Sequence, residues 1–281
     1  MADQQDGRAR QIMAMIFLER PELPDLERLK DRFGEILNIG DVLPAHANAQ
    51  VVPADGSLLI AALVDTPLPE QHWRVWADGA WWWPEAGDTM TGNAAHLVVS
   101  SAWDHSSRLD GHLKHMIVVR EFIEQLPAVA VAWGNVLVSA SQFAGEFQRF
   151  QAEKTLPVRL FVQFQVSADG QGGTILSTTG MDAFGLKEIE ANPAPMEPKD
   201  ALDFVENFAG YLMTNGPVVK SGDTIGGSDE QRIKVNFAPS FRESGREVYL
   251  IDFGPAPGPR EDTMREFAKG LMAQTFGSKP N

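Results

Sequence analysis

Apolar runs set between polar breaks divide the chain from Gln11 onward. Gln11–Leu18 is almost wholly apolar and predicts a buried strand. Pro24-Asp25 then starts a helix, because Leu26, Leu29, Phe33, Ile36 and Leu37 recur at helical spacing. Ala49–Pro53 and Leu58–Val64 read as strands on either side of Ala54-Asp55-Gly56, where Asp-Gly is a hairpin signal. Pro67, Pro69 and Glu70 mark a second helix start, and His96–Ala102 supplies another strand. This β-α-β-β-α-β order is that of a ferredoxin-like lobe.

The pattern continues with a long helix over Arg108–Leu126, ended by Pro127, and a strand over Ala128–Trp133. Ser139 or Ser141 caps a further helix with Phe143, Phe147 and Phe150 on one stripe, which reads as core. Beyond Lys154-Thr155-Leu156-Pro157 the chain turns β-rich. Val158–Ser167 and Gly173–Thr179 flank a hairpin, Pro198 starts a helix through Tyr211, and strands follow near Val218, Ile233 and Val248–Phe253. A proline-rich connector leads to a last predicted helix, Glu261–Phe276. The predicted fold class is therefore α+β. A ferredoxin-like N-terminal lobe with an added helix-strand-helix, residues 8–155, packs on a mostly antiparallel C-terminal lobe with helices, residues 156–281.

Composition narrows the chemistry. No cysteine is present, so disulfides, thiolate catalysis and cysteine-ligated metal sites are excluded. The formal net charge is −14, and residues 182–230 hold ten acidic side chains against Lys187, Lys199 and Lys220. Such a field opposes nucleic-acid phosphates and anionic lipid and favours a basic partner or a cation. The first residues lack the apolar core of a secretory signal, which leaves a cytoplasmic location as the expectation.

Two polar, glycine-punctuated segments stand between apolar runs, where a globular protein usually presents a working surface. The first runs from Thr178 to Glu190, and its candidate binding residues are Thr179, Gly180, Phe184, Gly185, Glu188 and Glu190. The second contributes Gly222, Asp223, Thr224 and Gly226. Glu188 and Glu190 are two apart on an apparent strand, so they share a side; they are either a cation-binding or acid/base pair, or a plain solvated strand face. His112 and His115, three apart on a helix and downstream of Asp104 and His105, are metal ligands by residue type but lack a metal-site spacing. Three consecutive tryptophans, Trp81-Trp82-Trp83, cannot all enter one core, so at least one is expected at the surface. No phosphate-binding loop or serine-hydrolase elbow occurs, and no cofactor or metal is implied.

The sequence from Thr178 to Glu190, with Gly222-Asp223-Thr224-Ile225-Gly226 and the earlier runs His96–Ser100 and Ala130–Gly134, resembles the bacterial family called domain of unknown function 4261. The resemblance extends over most of the chain beyond Ser57 and is most specific between Thr178 and Gly226. It implies an architecture and a role for the glycine-rich segments, without catalytic residues. The expected function is a non-enzymatic protein-binding or regulatory module, immunity-like in character, whose acidic glycine-rich surface engages another protein. The competing expectation is a small-molecule enzyme or cation-dependent hydrolase using Glu188, Glu190, Asp223 and Asp229, provided that these converge.

Overall fold

A computed structural model describes residues 11–37, 39–41, 49–54, 57–102, 107–168, 173–194, 197–226 and 233–253. The predicted Asp55-Gly56 turn, Asp104, His105, Asp229 and the Glu261–Phe276 helix lie outside them. The chain divides into two compact units, Met1–Gln148 and Arg149–Asn281.

In the first unit the described elements are β1 (Gln11–Leu18), α1 (Leu26–Leu37), β2 (Ala49–Ala54), β3 (Ser57–Val64), α2 (Glu70–Gly79), α3 (Ala86–Thr91), β4 (Ala95–Ala102), α4 (Arg108–Gln125), β5 (Ala128–Trp133), β6 (Val136–Ser139) and α5 (Ala140–Glu153), which crosses the division. The six strands form one sheet in the order β2-β3-β4-β1-β5-β6, each antiparallel to its neighbours. The β-α-β-β-α-β order is present. A ferredoxin-like sheet seats its third strand beside its first; here β4 lies between β3 and β1. The short helices α2 and α3 return the chain antiparallel alongside β3, which gives β4 that place.

Strand alternation sends neighbouring residues of β1 to opposite faces. Phe17 enters a core with Trp73, Trp83, Met90, Ala130, Ala132 and Leu137. Trp82 packs on this cluster from its edge, while Trp81 is 49% exposed with its ring edge-on to Trp82, so the tryptophan run does split between core and surface. Opposite Phe17, the face bearing Ser101 of β4 and Trp133 of β5 meets the His112–His115 side of α4. Arg28 and Arg32 of α1 then reach the carboxylate of Glu121 on α4, which is 1% exposed, at 3.0 and 2.5 Å. A buried carboxylate persists when such charge-assisted bonds replace water.

The second unit contains β7 (Gln163–Ala168), β8 (Thr174–Thr179), β9 (Ile189–Ala194), α6 (Pro198–Asn215), β10 (Thr224–Ile225), β11 (Ile233–Pro239) and β12 (Glu247–Asp252). Its sheet runs β10-β11-β12-β9-β8-β7, antiparallel except for the β12–β9 pair. Helix α6 starts with Pro198 in its first turn and stops at Gly216, whose φ of 78° a side chain would resist. Its buried Phe204, Val205, Phe208 and Leu212 make the apolar stripe, and Phe208 meets Tyr249 of β12 edge-on at 6.0 Å.

Candidate functional site

The connection from β8 to β9 carries the first glycine-rich segment. After Thr179, Gly180 takes φ 121°, residues Met181–Phe184 make one 3-10 turn, and Gly185 closes it in the left-handed region at φ 75°. Gly180 is required twice over, since a Cβ there would lie 2.8 Å from the carbonyl oxygen of Phe161. Phe184 is 9% exposed and faces the Phe161 ring at 5.9 Å. The side chain therefore belongs to the core.

Glu188 ends this segment and folds back onto its start. One carboxylate oxygen accepts the backbone N–H groups of Gly180 and Met181 at 2.9 and 3.1 Å, and the other accepts the Thr178 hydroxyl at 2.7 Å. Arg246 approaches at 3.6 Å, and the side chain is 6% exposed. This is the work of a helix-capping carboxylate, holding the free donors at the head of the 3-10 turn. Glu190 does the same for the β11–β12 connection. It accepts the Ser240 hydroxyl at 2.5 Å and the Phe241 N–H at 2.9 Å, and is 3% exposed. The Ser240 oxygen in turn accepts the N–H groups of Arg242 and Glu243, while Arg242 donates to Ser177 at 2.6 Å, the residue paired with Glu190 across β8 and β9.

Neither glutamate lies on a solvated strand face, and neither has its carboxylate open to a substrate. Glu190 lies on β9 while Glu188 precedes it, and the 240–246 connection, whose Ser240, Arg242 and Arg246 carry no sequence expectation, reaches both carboxylates. The one local signal is Ser240-x-x-Glu243, a capping-type spacing directly after β11.

The second glycine-rich segment lies elsewhere in the unit. Gly222 has φ 93°, its N–H bonds the Val235 carbonyl, and the Asp223 carboxylate accepts the N–H of Lys220 at 2.7 Å. Thr224 pairs with Lys234 on the edge strand β10, and Gly226 is exposed just beyond it. Strands β11 and β12 stand between β10 and β9, three strand spacings or about 14 Å. Thus Thr179, Gly180, Phe184, Gly185, Glu188 and Glu190 come together, whereas Gly222, Asp223, Thr224 and Gly226 do not join them. The proposed convergence of Glu188, Glu190 and Asp223 is not realised, because each carboxylate caps its own turn.

In the first unit His112 and His115 do share a face of α4, but it is an aromatic one. The His115 Nδ1 lies 2.6 Å from the Ser101 hydroxyl, and its ring stands edge-on to Trp133 at 4.8 Å. His112 stacks on Trp133 and places Nδ1 2.8 Å from the Arg108 carbonyl. Burial, reinforced by neighbouring His112, pushes the His115 imidazole down to about 3, and burial also lowers His112. Among the described residues no group of three or more histidine or acidic side chains is placed to hold a metal ion. No helix among them is long and apolar enough to cross a membrane.

The segment that builds both capped turns can be compared with known families. Residues 177–251 match the family model of a Domain of unknown function (DUF4261). The DUF4261 match begins on β8 at Ser177 and ends on β12 at Ile251, so it takes in both capping glutamates, α6 and the β11–β12 connection, and is narrower than the resemblance read from Ser57 onward. No curated protein and no solved structure matches the chain.

Proposed function

We propose that the protein is a non-enzymatic binding module whose second unit engages a basic protein partner through its acidic surface. The observation that carries this reading is the spending of Glu188 and Glu190 on internal donors, which leaves the matched segment's best-placed carboxylates without a free oxygen face for acid/base work. The remaining acids are of a different kind. Asp182 is exposed, Glu197 is exposed at the head of α6, and Asp200 follows in its first turn. Opposite charge on a partner would steer encounter with such a surface more than it would tighten the final complex.

Affinity capture on the immobilised chain supplies the partner, and association rates at low salt read the surface. Reversing Asp182, Glu197 and Asp200 to lysine should slow association by roughly tenfold or more and flatten its salt dependence. Reversing Glu27, Asp31 and Glu35 of α1, all exposed in the first unit, should do less. Equal effects of the two triple variants, or failure to retain any protein, would overturn the proposal.

A further inference from the structure

All six histidines of the chain, at 46, 72, 96, 105, 112 and 115, belong to the first unit, as do all seven tryptophans; both tyrosines, Tyr211 and Tyr249, belong to the second. Among the described residues three of those histidines are buried: His96 and His112 at 6% and 7% exposure, and His115 at 0%. His115 is confined from every side. Ser101 of β4 occupies its Nδ1, Trp133 of β5 faces its ring, and its Nε2 is buried with no hydrogen-bond partner.

Trp133 is itself stacked between neighbours, with His112 at 6.0 Å and Phe143 of α5 at 6.4 Å. A proton on His115 would therefore add a second donor and a full charge where no acceptor waits. The charge of His112 opposes a proton on His115, and that of Arg108 opposes one on His112. Strand β1 packs on α4 with the apolar Ala14 and Ile16, and β4 brings the hydroxyl of Ser101. On α4 itself Asp110 is paired to Lys114, while α1 brings Arg28 and Arg32 to Glu121 and Glu124, about two turns further along. None of these carboxylates compensates the imidazole.

We infer that the first unit opens in mild acid at the His112–His115–Trp133 cluster, while the second unit stays folded. A histidine whose folded-state pKa lies below its unfolded value takes its proton preferentially in the unfolded chain. The stability that goes with neutral His115 is therefore complete above about pH 6.5 and is lost as pH falls toward 3. His112 and His96 are shifted in the same direction, each first by burial, and add to the loss. Opening exposes Trp133 to water, so the event carries its own optical report.

The test is a denaturant titration of the full chain at about pH 7.5 and about pH 5.0. Tryptophan emission follows the first unit, and amide hydrogen exchange of 163–252 follows the second. The tryptophan-detected transition should move to lower denaturant, with the folding equilibrium constant of the first unit falling by up to about thirtyfold for each fully neutral buried histidine. Exchange in β8–β12 should give the same opening constant at both pH values. His115→Asn retains an acceptor for Ser101 and should reduce the pH slope by up to about tenfold per pH unit, whereas His72→Gln, at an exposed position, should leave it unchanged. An unmoved tryptophan transition, equal losses in both units, or an unaltered slope in the Asn variant would each overturn the inference. Should His115→Asn fail to fold, hydrogen exchange of residues 95–133 against 163–252 in the wild-type chain decides the question by itself.

Discussion

Gly180 has the Phe161 carbonyl oxygen where a β-carbon would have to stand, and Gly185 holds a left-handed backbone angle, φ 75°. The two should respond differently to alanine. Gly180→Ala combines a contact no real side chain makes with an unfavourable φ and should cost about 3 kcal/mol, whereas Gly185→Ala should cost about 1 kcal/mol. Gly185→Val adds β-branching at the same angle and should cost more than Gly185→Ala. Urea midpoints of the second unit rank the three; Gly180→Ala at or below the cost of Gly185→Ala would contradict the geometry.

The capping glutamates make a paired expectation at the same scale. Glu188→Ala strands the Gly180 and Met181 N–H groups and the Thr178 hydroxyl, and should destabilise by about 3 kcal/mol. Glu188→Gln keeps an acceptor and should lose about half of that. Glu190→Gln should leave the melting temperature closer to wild type but speed hydrogen exchange at Phe241, whose N–H it now holds. A Gln variant at 188 as damaging as the Ala variant would show that charge, rather than acceptance, dominates there.

Among the elements, the borders of α4 and the start of α5 were the most legible, because they are written in local chemistry. Ser107 accepts the N–H of Asp110 and Pro127 follows the end of α4; Ser139 and Gln142 exchange side-chain and backbone bonds in a reciprocal cap before α5. Ser139→Ala should therefore cost about 1 kcal/mol in the first unit, read from the tryptophan-detected transition, while Ser141→Ala, whose hydroxyl only meets that of Ser139, should cost less. Strands from Gln11 to Leu18 and from Ala128 to Trp133 were equally readable from their apolar runs. What covers a strand was not. Period two fixes which residues share a side, but the cover over Glu190 comes from Ser240 and Arg242, 50 and more residues away, and no local pattern announces such a pairing.

At the scale of the whole molecule, strand order was the least legible property. That β4 separates β3 from β1, and that β10 stands three strands from β9, depends on non-local hydrogen bonding with no signature in either strand. The glycine-rich segments consequently looked like one site and proved to be two separate turns.

The place of β12 has a consequence for how the chain is made. It is the last described strand to leave the ribosome, yet it sits inside its sheet, between β11 and β9. Until Glu247–Asp252 emerges, β7, β8 and β9 form one fragment and β10 with β11 another, with the apolar stripe of α6 deprived of Tyr249 and Ile251. In the first unit the joining strand comes earlier, because β4 links the β2–β3 hairpin to β1, and β5 and β6 then add to the open edge of β1. The nascent chain thus joins its first sheet at β4 and its second only at β12, so a ribosome stalled before Glu247 holds a finished first unit and a second that has no way to close.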